Sequence, residues 1–268
     1  MTRPAAVLFR RLLQAIAVAA ALAPWPAAAD MPPLDTLLRQ YVEVAFRNEF
    51  GGAHRFDRIV KWEGPIRARL EGPHADAYKA QVERQFAILT RLTGLSIEVV
   101  DGFRPFADVN MTITFIDTGG RGPENPERAC FSSAQEDDNF VLRKAEIMIT
   151  ADIPELRQHC IVEEISQALG LLNDSTLIFP SIFHDDSRQQ ALSPWDELMF
   201  YAHYDPRIKP GMTINQAMPI IREIFVQELA KQNSSGTSST TGRAAPKATP
   251  PRAVPAAPAK PHNPAALN

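Results

Sequence analysis

The run Glu163-Glu164-Ile165-Ser166-Gln167, followed by Gly170 and by Asn173-Asp174, sets polar groups at spacings that could do chemistry. On a helix, positions four apart share a face, so Glu163 and Gln167 could grip one ion while Glu164 between them polarises a water as general base. A glycine three residues further on lets the chain turn, so that Asn173 or Asp174 returns toward the same point. The donor types decide what such a frame holds. Zinc prefers imidazole or thiolate, which neither a primary amide nor an Asn carbonyl replaces well, whereas oxygen-rich sets suit calcium or magnesium.

A plainer reading competes. Adjacent helix residues diverge by about 100 degrees, so one of Glu163 and Glu164 can be a solvated face residue. Glu163 with Gln167 can likewise be a surface pair worth a few tenths of a kcal/mol. Against this, Val162, Ile165, Ala168 and Leu169 take up much of the helix circumference and leave the polar set partly buried, where carboxylates need partners. His184, Asp185 and Asp186 in the following loop, and His203 beyond it, are the candidates. Among them His184 is the best titratable candidate for a ligand. Asp185 and Asp186 read as turn caps and His203 as a packing histidine. Ser193 reads as an N-cap, with Asp196 as a structural polar bridge. Trp62, Phe183 and Trp195 read as core anchors, and His54 and His74 as surface residues. No GxSxG motif and no phosphate-cradling glycine loop is present.

The elements that must position these groups follow from periodicity. Apolar residues at three-and-four spacing predict helices over 34–50, stopped by Gly51-Gly52, and over 76–92. Alternation predicts strands over 66–70, 95–100, 110–116 and 146–150, with 119–140 as a long Gly/Pro/acid-rich loop. Helices are predicted over 154–170, ended by Gly170, over 194–204 with Leu198, Tyr201 and Ala202 inward, and over 213–232, capped by Thr213 and interrupted by Pro219. Helix, strand, helix, a cluster of strands and then helices only is an α+β order, with helices on a small mixed sheet.

Both ends of the chain stand apart. Residues 1–29 carry Arg3, Arg10 and Arg11, an apolar run from Leu12 to Ala23 and the small residues Ala27 to Ala29, which is the order of a cleavable signal peptide. The run falls short of the roughly 20 residues that span a bilayer, so no integral membrane segment is expected after cleavage. Residues 233–268, rich in Pro, Ala and Ser, have almost no large apolar side chain and are expected to be disordered. The globular body is therefore 30–232. Setting aside the three arginines of the first segment and four basic residues of the last, 21 basic side chains in the body face 31 acidic ones, a net charge of −10. That balance argues against a nucleic-acid partner. Cys130 and Cys160 are the only two cysteines. In an exported protein they predict a disulfide, the rival being a thiol metal pair with His159 as its one nearby histidine.

In spacing, the frame matches H-E-x-x-H-x-x-G-x-x-H/D of the metzincin zinc peptidases, with Glu163 and Gln167 in place of histidines and Asn173 in place of the third ligand. LSPWDELMFYAHYD is similar to the last helix of matrixin-like domains. With IVEEISQALGLLNDS, SIFHDD and YDPRIKPGM, the body from Leu34 to Met212 resembles the exported bacterial family known as domain of unknown function 2927. The resemblance implies a zincin-like fold with an altered peptidase site. The expectation is an exported, periplasmic or secreted, non-catalytic module that binds or assembles with an envelope protein or cell-wall component. No cofactor is expected. The alternatives are a hydrolase with Glu164 as base, or an ion held by Glu163, Gln167, Asn173, Asp174 and His184, zinc or calcium.

Overall fold

In the computed structural model, residues 31–47, 57–100, 108–119 and 130–237 are described. The expected signal-peptide segment, the Gly51-Gly52 stop, His54, positions 120–129 of the expected loop and the tail beyond 237 lie outside them. Among the described residues five helices and five strands follow in the order α1 (Leu34–Phe46), β1 (Ile66–Glu71), α2 (Ala75–Thr93), β2 (Ile97–Val99), β3 (Met111–Ile116), β4 (Cys130–Glu136), β5 (Leu142–Thr150), α3 (Pro154–Gln167), α4 (Pro194–His203) and α5 (Ile214–Thr237). The class is α+β.

The strands form one mixed sheet in the order β2-β1-β3-β5-β4, parallel throughout except for β4, which runs antiparallel to β5 at the edge. Alternation sorts its two faces. Met111, Ile113 and Phe115 of β3 and Ala145, Ile147 and Ile149 of β5 are buried under α2 and α3. Thr112, Thr114, Glu146 and Met148 point to the opposite face and line, with Glu71, Phe131 and Lys144, a groove of about 560 Å³. A second helical group, α1 against α5 and α4 against both α2 and α5, completes the core.

Several sequence expectations are corrected. Residues 130–136, expected as loop, form β4, and β5 starts four residues before the expected Glu146. CFSSAQE carries little apolar signal because an edge strand gains its order from the ladder to β5 and from Cys130 rather than from burial. Helix α1 stops at Phe46, where Arg47 turns to extended backbone once Phe46 is buried. Helix α3 stops at Gln167, three residues before Gly170. Pro219 lies inside a continuous α5, near its first turn, and that helix runs through Thr237, five residues into the expected tail. The predicted N-cap holds: the Gln216 amide donates to Thr213 Oγ1 and the Thr213 amide to Gln216 Oε1. Tyr201, expected inward, is 46% exposed, because α4 turns Trp195, Leu198, Met199 and Ala202 to the core and leaves Tyr201 on the outer side.

Candidate functional site

The frame sits where α3 ends. Helix α3 begins with Pro154 at its first turn and has apolar side chains on most sides, with Ile161, Val162 and Ile165 buried. Its C-terminal turn is then fixed from outside. The Trp62 indole donates to the Ala168 carbonyl (2.9 Å) and the Tyr204 hydroxyl to the Leu169 carbonyl (2.7 Å), satisfying carbonyls that a helix end leaves without a partner. Gly170 has φ +109°, and a Cβ there would lie 2.3 Å from the Val60 carbonyl oxygen. Only glycine allows the chain to reverse at this point and bring Asn173-Asp174 back beside the helix.

The side chains that return are engaged with one another. Gln167 is buried; its amide nitrogen donates to Asp174 Oδ1 (2.6 Å) and its amide oxygen accepts from the Ser132 hydroxyl of β4 (3.3 Å). The Asn173 side chain donates to the Asp174 carbonyl and its backbone amide to Val44. Glu163 forms an ion pair with His159 one turn earlier, Oε2 to Nε2 at 3.0 Å. Glu164 is 5% exposed. Next to these carboxylates the Cys130–Cys160 disulfide ties β4 to α3. Among the described residues, Cys130, Glu163 and Glu164 are the group of His, Cys, Asp or Glu side chains with ligand atoms all within 4.8 Å of one another. His184 and Asp174 are not in it.

These donors do not fit zinc at the frame positions. Each end of the Gln167 amide is committed to a neighbour, and one Glu163 oxygen is paired with an imidazole. His184 is buried in the loop, where its Nδ1 accepts from the Asp186 amide (3.1 Å) and its ring meets Phe179 edge to face. A backbone bridge between Ser175 and His184 brings this loop beside the Asn173-Asp174 turn. Asp185 and Asp186 are exposed.

Asp196 is fully buried and does two jobs. It closes a capping box with Ser193 at the start of α4, and it accepts from the Ser181 hydroxyl (2.6 Å) and the Ile182 amide (3.0 Å), anchoring the loop that carries His184. Burial raises its pKa above the usual carboxylate value, against those hydrogen bonds, which lower it.

His203 is a packing residue. Its Nε2 donates to the Val60 carbonyl (3.0 Å) and its Nδ1 accepts from the Tyr41 hydroxyl (3.0 Å), roles fixed by the carbonyl being able only to accept. Burial, with the Lys61 ammonium nearby, pushes its pKa down to about 3, the Val60 carbonyl opposing. Lys61 is itself buried and donates to the carbonyls of His203 and Ile208, and burial lowers it to about 8. Trp62, Phe183 and Trp195 are core residues and His74 is a surface residue, as expected.

His159 was not singled out by the frame. It is 4% exposed, its Nδ1 lies 2.8 Å from the Gln189 carbonyl oxygen, and its spacing to Glu163 is the i, i+4 of a helix pair, which the sequence does contain. Burial, the largest single cause, acts against its charged form, but the Glu163 carboxylate and the Gln189 carbonyl together oppose it and the net shift is upward.

The architecture is thus a mixed-sheet α+β domain with a disulfide-tied edge strand and, among the described residues, no helix long and apolar enough to cross a membrane. The family model for a protein of unknown function, DUF2927, matches residues 35–223, and the chain belongs to that family. No curated protein matches the chain.

Proposed function

We propose that this protein is an exported, zincin-like module that has no peptidase activity and serves to bind or assemble with a component of the cell envelope. The observation that carries this reading is the position of the Cys130 sulfur, within 4.8 Å of the carboxylates of both Glu163 and Glu164. An oxidised sulfur, which neither ligates as a thiolate nor polarises water, stands beside the side chain that would be the general base. The Gln167 amide, bonded at both ends, adds to this. The zincin-like assignment is supported by a helix carrying the frame, a glycine turn after it and an adjacent antiparallel edge strand. The open face of the sheet, with its groove bearing Phe131, Met148, Lys144 and Glu146, is the surface on which we place binding.

The test is metal content by mass spectrometry on the purified oxidised protein, beside Glu164→Gln and Gln167→Ala variants, with a general peptidase assay on the same samples. No stoichiometric metal and no cleavage is the expected result. Stoichiometric zinc lost in Gln167→Ala, together with cleavage lost in Glu164→Gln, would replace this reading with a hydrolase that uses Glu164 as base.

A further inference from the structure

The group formed by Cys130, Glu163 and Glu164 contains the ligand types of a thiophilic cation site in a form that oxidation silences. Its sulfur belongs to β4 and its two carboxylates to α3, so the three atoms are presented by packed elements rather than by a loop. Ligands about 2.0 to 2.3 Å from one zinc-sized ion lie roughly 3.4 to 3.7 Å apart, so a group already within 4.8 Å is about an ångström from that spacing.

A second feature points the same way. His159 faces the Gln189 carbonyl oxygen with Nδ1, and an acceptor there requires Nδ1 to carry a hydrogen. Its other nitrogen faces a Glu163 oxygen at 3.0 Å. A buried imidazole held at one nitrogen by a backbone carbonyl, and holding a carboxylate with the other, is the outer-shell arrangement that fixes a metal-binding carboxylate. The His159 contact engages Oε2, one of the two Glu163 carboxylate oxygens. Cys130 is partly exposed while Cys160 is fully buried, so the sulfur that a reductant reaches first is the one in the group.

We infer that opening the Cys130–Cys160 disulfide creates a binding site for a thiophilic divalent cation of the zinc and cadmium class, ligated by the Cys130 thiolate and the carboxylates of Glu163 and Glu164, with His159 positioning Glu163. The reductant is a dithiol. One of its thiolates attacks the Cys130 sulfur, the sulfur–sulfur bond breaks, and Cys160 leaves with the electron pair and takes up a proton. The second thiol of the reductant displaces Cys130 from the mixed disulfide and leaves as a cyclic disulfide, so two electrons pass to the protein. Cys130 gives its proton to solvent when the cation binds. Three negative ligands then face one divalent ion, with His159 holding Glu163 from outside the group.

The probe is cadmium, titrated into the full chain while the sulfur-to-metal charge-transfer absorption is followed. Cys160→Ser frees Cys130 without a reductant and is compared with oxidised wild type and with Cys130→Ser. One cadmium per chain with the charge-transfer band in Cys160→Ser, and neither in the other two proteins, is the expected result. In that background His159→Gln weakens binding about 10-fold to 100-fold, and Glu163→Gln or Glu164→Gln weakens it at least as much. Equal bands in Cys130→Ser and Cys160→Ser, or no band in a Cys160→Ser protein whose circular dichroism matches wild type, overturns the inference. If Cys160→Ser does not fold, the same titration on wild type reduced under native conditions decides in the same terms, a missing band again counting against the site. The oxidised protein is the baseline here, so a negative result leaves the non-catalytic reading standing.

Discussion

Acid should unfold this protein through His203. The ring is fully buried, donates to Val60, accepts from Tyr41 and has Lys61 close by, and its pKa is held at about 3, whereas in the unfolded chain it titrates at its ordinary 6.5. A folded-state pKa below the unfolded one means that the stability contributed is complete above the unfolded value and is lost as pH falls. The window for loss is therefore from about 6.5 down to about 3. Within it the unfolded state binds one more proton than the native state, which costs about 1.4 kcal/mol per pH unit. The loss is roughly 1.4 kcal/mol at about pH 5.5 and 2.7 kcal/mol at about pH 4.5, a large part of a typical folding free energy of about 5 to 15 kcal/mol. Carboxylates also titrate at the lower end, so the comparison must isolate the ring. Gln at 203 keeps a donor and an acceptor but carries no charge at any pH. Urea unfolding followed by tryptophan fluorescence should find His203→Gln less stable than wild type at about pH 7.5, by about 1 to 3 kcal/mol. That gap should close, then reverse, by about 1.4 kcal/mol per unit as pH falls below 6.5. A gap that stays constant from about pH 7.5 to about pH 4.5 would refute the reasoning, because it would mean that His203 takes up its proton equally in both states.

Other substitutions probe the frame and its supports. Gly170→Ala forces a Cβ to 2.3 Å from the Val60 carbonyl at a φ of +109°, and should cost about 3 kcal/mol or more in urea unfolding. Asp196→Ala removes a capping box and two further hydrogen bonds from a buried site, and should cost about 2 to 4 kcal/mol, with proteolysis expected first in the loop around His184. Removing the disulfide frees a loop of 30 residues in the unfolded chain and should lower stability by about 3 to 4 kcal/mol, read as a drop in urea midpoint under reduction. Ser132→Ala breaks only the β4 contact to Gln167 and should cost about 1 kcal/mol or less, without changing the far-ultraviolet circular dichroism.

The helices and the central strands were legible because burial there follows the periodicity of the backbone. Met111, Ile113 and Phe115 alternate with polar residues, and Val82, Phe86 and Leu89 stripe one face of α2. What failed was order that comes from elsewhere. The segment CFSSAQE is a strand because β5 and Cys160 hold it, and no local pattern carries that information. Tyr201 departs from the inward expectation because α4 has enough other side chains to fill its buried side. At the site, the spacing from Glu163 to Asp174 correctly announced a helix, a glycine turn and a returning segment. It did not announce that Gln167 would join Ser132 and Asp174, nor that the partner of Glu163 would be His159. That histidine lies one turn upstream, outside the frame that drew attention, although its i, i+4 spacing to Glu163 was there to be read.

The sheet has two ends, and they are unlike in length but alike in what they withhold from neighbours. At one end β2 offers three residues, too few to template a second chain. At the other, β4 is seven residues long and, among the described residues, pairs on one side only, with β5. Its Ser132, Ser133, Gln135 and Glu136 keep that rim polar, and a covalent link to α3 pins one end of it. Such a rim resists fibre-like stacking in a crowded compartment by composition and tethering together. Reduction would relax the tether and leave composition as the remaining safeguard.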